Sequence, residues 1–166
     1  MTMKFAVKPY YKTPKRMRKT PLLTVSDIAN KTHPATRKRS RVVKINGCRI
    51  ARTPRFMEGW TTYRVDTTNV ENKHRYIITI FAPDPVVRRD SKVIIDSPNP
   101  LHAFKYEFAL ARRGNSFIYR SNGQPPHQTN PGQIPGMDHH AYAALRFLVK
   151  ESKVLSKPLR DKLARR

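Results

Sequence analysis

Lysine and arginine are the residues of this sequence with the clearest chemistry, and they concentrate near its two ends. The chain carries 34 Lys and Arg against 11 Asp and Glu, a formal net charge of +23 in 166 residues. Each cation that docks on a phosphate releases condensed counterions, so this surplus predicts nucleic acid or another polyanion as the partner. The predicted contact residues are Lys12, Lys15, Arg16, Arg18, Lys19, Arg37, Lys38, Arg39 and Arg41 in the N-terminal part, and Lys157, Arg160, Lys162, Arg165 and Arg166 at the C-terminus.

Catalytic chemistry has much less support in the residue pattern. The six histidines and Ser116 stand in no nucleophile motif, and the sequence has no glycine-rich phosphate loop. A nuclease would need magnesium ligands, but turn caps and local ion pairs explain the scattered carboxylates Asp66, Asp84, Asp90 and Asp96 more simply. We therefore expect no catalytic residue and no enzymatic activity.

Cysteine content and hydropathy limit the class of protein further. The single cysteine, Cys48, excludes an intramolecular disulfide and a cysteine-rich zinc site. No run approaches the roughly 18 to 20 apolar residues that a membrane-spanning helix requires. We expect no membrane partner.

Residues 1–41 are rich in lysine, arginine and proline, with Asp27 as their only acidic residue. Proline interrupts helices, and the composition is typical of chain that does not fold alone. We predict an extended basic arm over 1–41, with one short helix that begins at the capping box Thr24 to Asp27 and continues through Ala29. A basic, acid-poor transit peptide is the alternative.

From residue 42 the pattern predicts a small antiparallel sheet of about four or five strands, a common sheet size. Asn46-Gly47 separates two β-rich runs and favours a type I′ hairpin turn. Further strands are expected at 61–65, 76–81 and 92–95.

Two central helices and a basic C-terminal helix complete the predicted α+β fold. Asn99-Pro100 predicts a helix over roughly 100–113 that ends at Gly114, with the stripe Leu101, Phe104, Phe108 and Ala111 in the core. After a proline-rich loop, a second helix is expected to start at Asp138 and to bury Ala141, Leu145, Leu148 and Val149. The predicted domains are the arm 1–41, an α+β domain over 42–156 and a basic helix over 157–166.

One stretch of the chain, Val93 to Leu148, resembles the SWIM-type zinc-finger segment of proteins from large tailed phages. That pattern runs Cys-x-Cys-Pro, a helix with a Phe-x-Tyr core, an Asn-Pro-Gly loop, and Pro-Gly-x-Cys-x-His at the start of a second helix. The corresponding runs are Ser97-Pro98-Asn99-Pro100, Phe104-Lys105-Tyr106, Asn130-Pro131-Gly132 and Pro135-Gly136-Met137-Asp138-His139-His140.

The residues at the ligand positions of that pattern differ from the family. The positions of the metal ligands hold Ser97, Asn99, Asp138 and His140, and neutral Ser and Asn side chains are poor zinc ligands. The resemblance therefore implies a zinc-finger scaffold that has lost its metal, with no cofactor. The alternative is a relocated zinc site built from His102, Asp138, His139 and His140.

These inferences predict a structural protein of a phage virion or a DNA-associated component, located in the virion or the host cytoplasm, that acts through charge and shape. Subunits of a larger assembly are the expected further partners. Two alternatives remain: a capsid or tail assembly protein whose arm binds neighbouring subunits, and a ribosome-associated RNA-binding protein. Aromatic residues that could stack on bases, or simply pack, are Tyr10, Tyr11, Phe56, Trp60 and Tyr63.

Overall fold

A computed structural model describes residues 21–117 and 126–165. It contains a four-stranded antiparallel sheet in the order β1-β2-β3-β4 together with helices, which confirms the predicted α+β class. The strands are β1 Val43–Ala51, β2 Thr61–Asn69, β3 Arg75–Ala82 and β4 Ile94–Asp96, and the helices are α1 Val25–Lys31, α2 Pro34–Arg39, α3 Glu107–Ala111, α4 His139–Leu155 and α5 Lys157–Ala164. None of the helices in the described ranges is long and apolar enough to cross a membrane.

The core lies between one face of the sheet and helix α4. Alternation along β2 and β3 directs Tyr63, Val65, Ile78 and Ile80 to this face, where all four are fully buried. Helix α4 covers them with Ala141, Leu145 and Leu148, as its helical periodicity predicts, while Val149 packs at the edge of the cluster. The sheet therefore has one face under the helices and an opposite face, called the outer face below, that α4 does not cover.

The Asn46-Gly47 pair does not form the predicted hairpin. Strand β1 runs through both residues, and its pairing with β2 shifts between Ile45 and Gly47, so Asn46 is the extra residue of a β-bulge. The Asn46 amide donates to Asp66 Oδ1 at 3.1 Å and to Thr68 Oγ1 at 2.7 Å. A turn at residue 46 would have prevented the long pairing of β1 with β2. The hydrogen bonds of this pairing outweigh the local preference of Asn-Gly for a turn.

The part of the predicted arm 1–41 that the structure describes is not extended. Residues 21–41 form α1, α2 and a 3₁₀ turn, and α1 places Val25 and Ile28 in the core. Its capping box at Thr24 and Asp27 confirms the predicted helix start. Spacing of i, i+3 puts the two apolar side chains on one helix face, which is enough to bind this segment to the domain. Residues 1–20 lie outside the described part of the chain.

The first central helix also differs from its predicted form. It contains a π-helical stretch, His102–Tyr106, before α3, which ends at Ala111. Gly114, the predicted end of the helix, lies in the turn that follows, with a φ of +76°. The wider π turn changes which side chains face inward. Ala103, Tyr106 and Leu110 are buried. Of the predicted stripe, Ala111 is buried and Phe108 is half-buried, but Leu101 and Phe104 are exposed, so the prediction is wrong for these two residues.

Candidate functional site

Five cations converge on the surface between α2 and α4. Arg37 and Lys38 come from α2, Arg41 from the following 3₁₀ turn, and Arg146 and Lys150 from α4, where spacing of i, i+4 puts them on one face. They border two adjoining depressions of about 430 and 390 Å³, both lined by Arg41 and Arg146. We call this surface the α2–α4 groove. Among the described residues, no Asp or Glu lines either depression.

Buried hydrogen bonds fix the position of the groove. The Arg37 Nε donates to the backbone carbonyl of Thr32 at 2.9 Å. Thr32 is itself buried, and its Oγ1 donates to the Ile28 carbonyl at 2.8 Å and accepts from the Met137 N–H at 3.2 Å. Because Met137 immediately precedes α4, these bonds hold the α1–α2 segment against the start of that helix.

The groove is poor in compensating negative charge. Lys150 lies 3.6 Å from the carboxylate of Glu151, and its side chain remains 82% exposed. Arg37, Lys38, Arg41 and Arg146 have no ion pair with any residue in the described part of the chain. Like charges held this close repel one another, so a polyanion in the groove would relieve the repulsion and gain from counterion release.

The predicted contact residues fall into three groups. Arg37, Lys38 and Arg41 line the groove, while Arg39 lies outside its lining. Burial lowers the pKa of His139, and the nearby charge of Arg39 lowers it further. On α5, Lys157 pairs with Asp161 at 2.9 Å and Arg160 donates to the Lys153 carbonyl at 2.7 Å, whereas Lys162 and Arg165 are exposed. The residues outside the described ranges are Lys12, Lys15, Arg16, Arg18, Lys19 and Arg166, with Tyr10 and Tyr11.

Sequence reasoning missed Arg146 and Lys150. A detectable signal was present, because Tyr142, Arg146 and Lys150 repeat at i, i+4 and i+8 on the polar side of an amphipathic helix.

Of the aromatic candidates for base stacking, Tyr63 is fully buried and Trp60 is partly buried. Phe56 is 46% exposed on the outer face of the sheet.

A buried polar cluster lies at the start of α4. The structure brings together all four residues that stand at the ligand positions of the SWIM-type pattern, Ser97, Asn99, Asp138 and His140, and each is at least nine-tenths buried. The Asn99 amide donates to Asp138 Oδ1 at 3.2 Å, and the same oxygen caps α4 by accepting from the N–H groups of His140 at 2.9 Å and Ala141 at 3.2 Å.

The electrostatics of this cluster favour an ionised carboxylate. Burial alone would raise the pKa of Asp138, but the His102 imidazole, the Ser97 hydroxyl and the Ala141 N–H outweigh it and lower the pKa to about 2. His102 is also fully buried, and its Nδ1 lies 3.5 Å from Asp138 Oδ2. The Asp138 carboxylate therefore contacts three elements at once: the π-helical stretch, the segment after β4, and the first turn of α4.

His140 belongs to the same buried cluster and contacts strand β2. Its Nδ1 lies 2.8 Å from Thr67 Oγ1 on β2, and its ring meets Tyr76 edge-on with centroids 4.8 Å apart. Burial lowers the pKa of His140 to about 4, with a further contribution from neighbouring His139. His139 Nε2 instead lies 3.4 Å from the Asn69 amide.

Part of the cluster is engaged in hydrogen bonds, whereas His102 Nδ1 and Nε2, Asp138 Oδ2 and His140 Nε2 are buried without a hydrogen-bond partner among the described residues. Asn99 uses its amide as a donor, Asp138 Oδ1 already accepts three hydrogen bonds, and His139 and His140 contact different strand residues. Across the described residues, no group of three or more His, Cys, Asp or Glu side chains could hold a metal ion. The absence of zinc from the native protein remains a prediction, and the relocated site gains no support from the positions of His139 and His140.

No family model, no curated protein and no solved structure matches this chain. The resemblance of Val93 to Leu148 to SWIM-type fingers therefore remains a hypothesis, as do the phage origin and the assembly role that it implies.

Proposed function

We propose that this protein binds nucleic acid, or a comparable polyanion, through charge and shape, as a non-enzymatic structural component of a phage virion or another DNA-associated assembly. The carrying observation is the α2–α4 groove, where five cations from two distant segments line one surface. The phage assignment is supported by the resemblance of Val93 to Leu148 alone, whereas polyanion binding is supported by the charge of +23 and by the groove.

The form of the groove favours the sugar–phosphate backbone as the ligand. Its cations come from helical segments whose backbones are joined by hydrogen bonds through Thr32, so the segments are in place before the ligand arrives. Arginine and lysine on such a surface position a phosphate chain without reading its bases. Sequence-independent binding is the expected result, with the remaining cations of 1–20 and α5 adding to the attraction.

Charge reversal in the groove tests this function. We expect Arg146→Glu to weaken binding to a mixed-sequence DNA duplex by more than tenfold at low salt, because it removes an exposed cation and repels phosphate at the centre of the groove. The matched control is Arg113→Glu, an exposed arginine that lines neither depression and gives the same change in net charge. Fluorescence anisotropy of a labelled duplex measures both.

Equal, small effects of the two substitutions would show that the groove is not the binding surface. If the native chain binds no nucleic acid but coassembles with virion subunits, the assembly-protein alternative replaces this function. Cofractionation with ribosomes and preference for ribosomal RNA would instead favour the ribosome-associated alternative.

A further inference from the structure

The outer face of the sheet carries a second basic surface, on the side opposite to α4. One row of side chains crosses all four strands at this face, in the order Arg49, Arg64, Thr79 and Asp96. Alternation places these residues outward because their neighbours Tyr63, Val65, Ile78 and Ile80 face the core. The two arginines are exposed, so positive charge concentrates on the β1–β2 side of the face.

Arg49 and Arg64 are directly paired across β1 and β2. Like charges directly opposite on neighbouring strands destabilise a sheet. Neither arginine has an ion pair with another residue of the described chain, although Arg75, on the same face, forms a salt bridge with Asp66. The sheet thus neutralises one exposed arginine and keeps two others facing each other, which is the arrangement expected where an external anion supplies the missing charge.

These arginines line a groove of about 570 Å³, called the outer-face groove below. Arg52 adds a third guanidinium, Thr62 and Thr79 supply hydroxyl groups, Phe56 forms part of the wall, and Asp96 places a carboxylate at the β4 end, away from the arginine pair. The Phe56 ring is 46% exposed and is held edge-on against Phe117, with centroids 5.6 Å apart. Guanidinium groups beside a supported, accessible aromatic ring form the combination that binds a phosphate chain with unstacked bases.

We propose that the outer-face groove binds a single-stranded segment of nucleic acid, with Arg49, Arg52 and Arg64 against its phosphates and Phe56 stacked on one base. This inference rests on the proposed polyanion binding but assigns a different surface and a different form of the ligand. A single strand fits better than a duplex because the bases of a duplex are stacked on each other and cannot present a face to Phe56 without being unpaired.

The test compares single-stranded and duplex oligonucleotides of mixed sequence on the full chain. Arg49→Gln with Arg64→Gln is expected to weaken single-strand binding at least tenfold while duplex binding changes less than threefold. The control is Arg75→Gln, which removes an exposed arginine of the same face that already pairs with Asp66. Arg146→Glu in the α2–α4 groove should give the opposite selectivity.

Phe56 provides an independent readout. Phe56→Ala is expected to weaken single-strand binding several-fold at every salt concentration, whereas Phe56→Tyr keeps a stacking ring and restores it. Trp60, the only tryptophan of the chain, packs against the cluster of Met57, Phe81 and Ile94, and Phe81 lines the groove. Its fluorescence should therefore change when a single strand binds and not when a duplex binds. The double glutamine variant should keep its thermal stability, since it removes a like-charge pair.

The inference is overturned if the Arg49 and Arg64 variants leave single-strand affinity unchanged, or if Arg146→Glu abolishes binding of both forms equally. Absence of any nucleic-acid binding by the native chain would overturn the proposed function as well. Retained duplex binding with no single-strand site would overturn this inference alone.

Discussion

The Nδ1 atom of His102 lies 3.5 Å from Oδ2 of Asp138, and both side chains are shielded from solvent. His102 belongs to the π-helical stretch and Asp138 caps α4, so the pair connects the two central helices. Buried charges are costly unless they are paired and hydrogen-bonded, and Asp138 meets this condition through Asn99 and two backbone N–H groups.

Replacing Asp138 should therefore destabilise the fold. Asp138→Asn keeps a side chain that can cap the helix but removes the charge that faces His102, and we expect a loss of about 3 kcal/mol, as for other broken buried pairs. Urea unfolding followed by circular dichroism measures it. The control is Asp161→Asn, which breaks an exposed i, i+4 pair with Lys157 and should change stability very little. Equal losses of unfolding free energy in the two variants would show that the buried pair stabilises the fold no more than the exposed pair.

As pH falls from neutral, the free energy of unfolding should decrease because of His140 before it decreases because of Asp138. Its folded pKa of about 4 lies below the ordinary 6.5, so the unfolded chain binds a proton that the folded chain does not. The stability contributed by neutral His140 is complete above pH 6.5 and is lost as pH falls toward 4, by on the order of 2 kcal/mol. Asp138, with a pKa lowered from 3.8 to about 2, loses its contribution only below that window.

Unfolding in urea at a series of pH values from 7.5 to 4 checks the His140 window. His140→Gln keeps an amide that can contact Thr67 but cannot take up a proton, so its stability should fall less steeply over the same range. A native profile that is flat from pH 7 to pH 5 would contradict the assignment of His140 as a buried neutral imidazole.

Helix α1 should behave as part of the domain. Ile28 is fully buried, and Ile28→Ala should cost about 3 kcal/mol, typical of a large-to-small change in a core. Lys31→Ala, an exposed position on the same helix, is the control and should leave the unfolding free energy almost unchanged. If Ile28→Ala were as mild as Lys31→Ala, residues 21–41 would be an independent arm after all.

The Arg49–Arg64 pair permits a test of stability as well as of binding. Arg64→Glu would place a carboxylate opposite Arg49 and should raise stability by about 0.5 kcal/mol, the usual size of a cross-strand charge effect. The same variant should bind single strands more weakly. Thermal unfolding and anisotropy on one preparation give both results, and a loss of stability would show that the two arginines do not repel each other in the native protein.

Local sequence signals predict where several helices and strands begin, but they do not predict which distant residues these elements contact. The capping box at Thr24, the N-cap at Asp138 and the alternation after Thr61 predict structure because each depends on neighbours within a few residues. The bulge at Asn46 could not be foreseen, because the partner that selects it over a turn is Asp66, twenty residues away.

The same contrast between local signals and long-range contacts applies to the candidate sites. Arg37 and Arg41 could be selected from composition, but their neighbour Arg146 is over a hundred residues distant and only the fold brings them together. Arg49 and Arg64 sit in different strands, and their pairing depends on the register that follows the bulge. The residues Ser97, Asn99, Asp138 and His140 were selected together from the family pattern, and the structure does place them in one cluster.

The central claim is that this chain binds a polyanion by charge, and the salt dependence of duplex binding tests it most directly. Measured on the native chain at several salt concentrations, log K should fall linearly with log salt, with a slope of about −0.9 for each phosphate contacted. Five groove cations predict a slope near −4 or steeper, and a loss of at least a hundredfold between 50 and 200 mM salt. An affinity that stays constant across this range, or no duplex binding at 50 mM salt, would contradict the account.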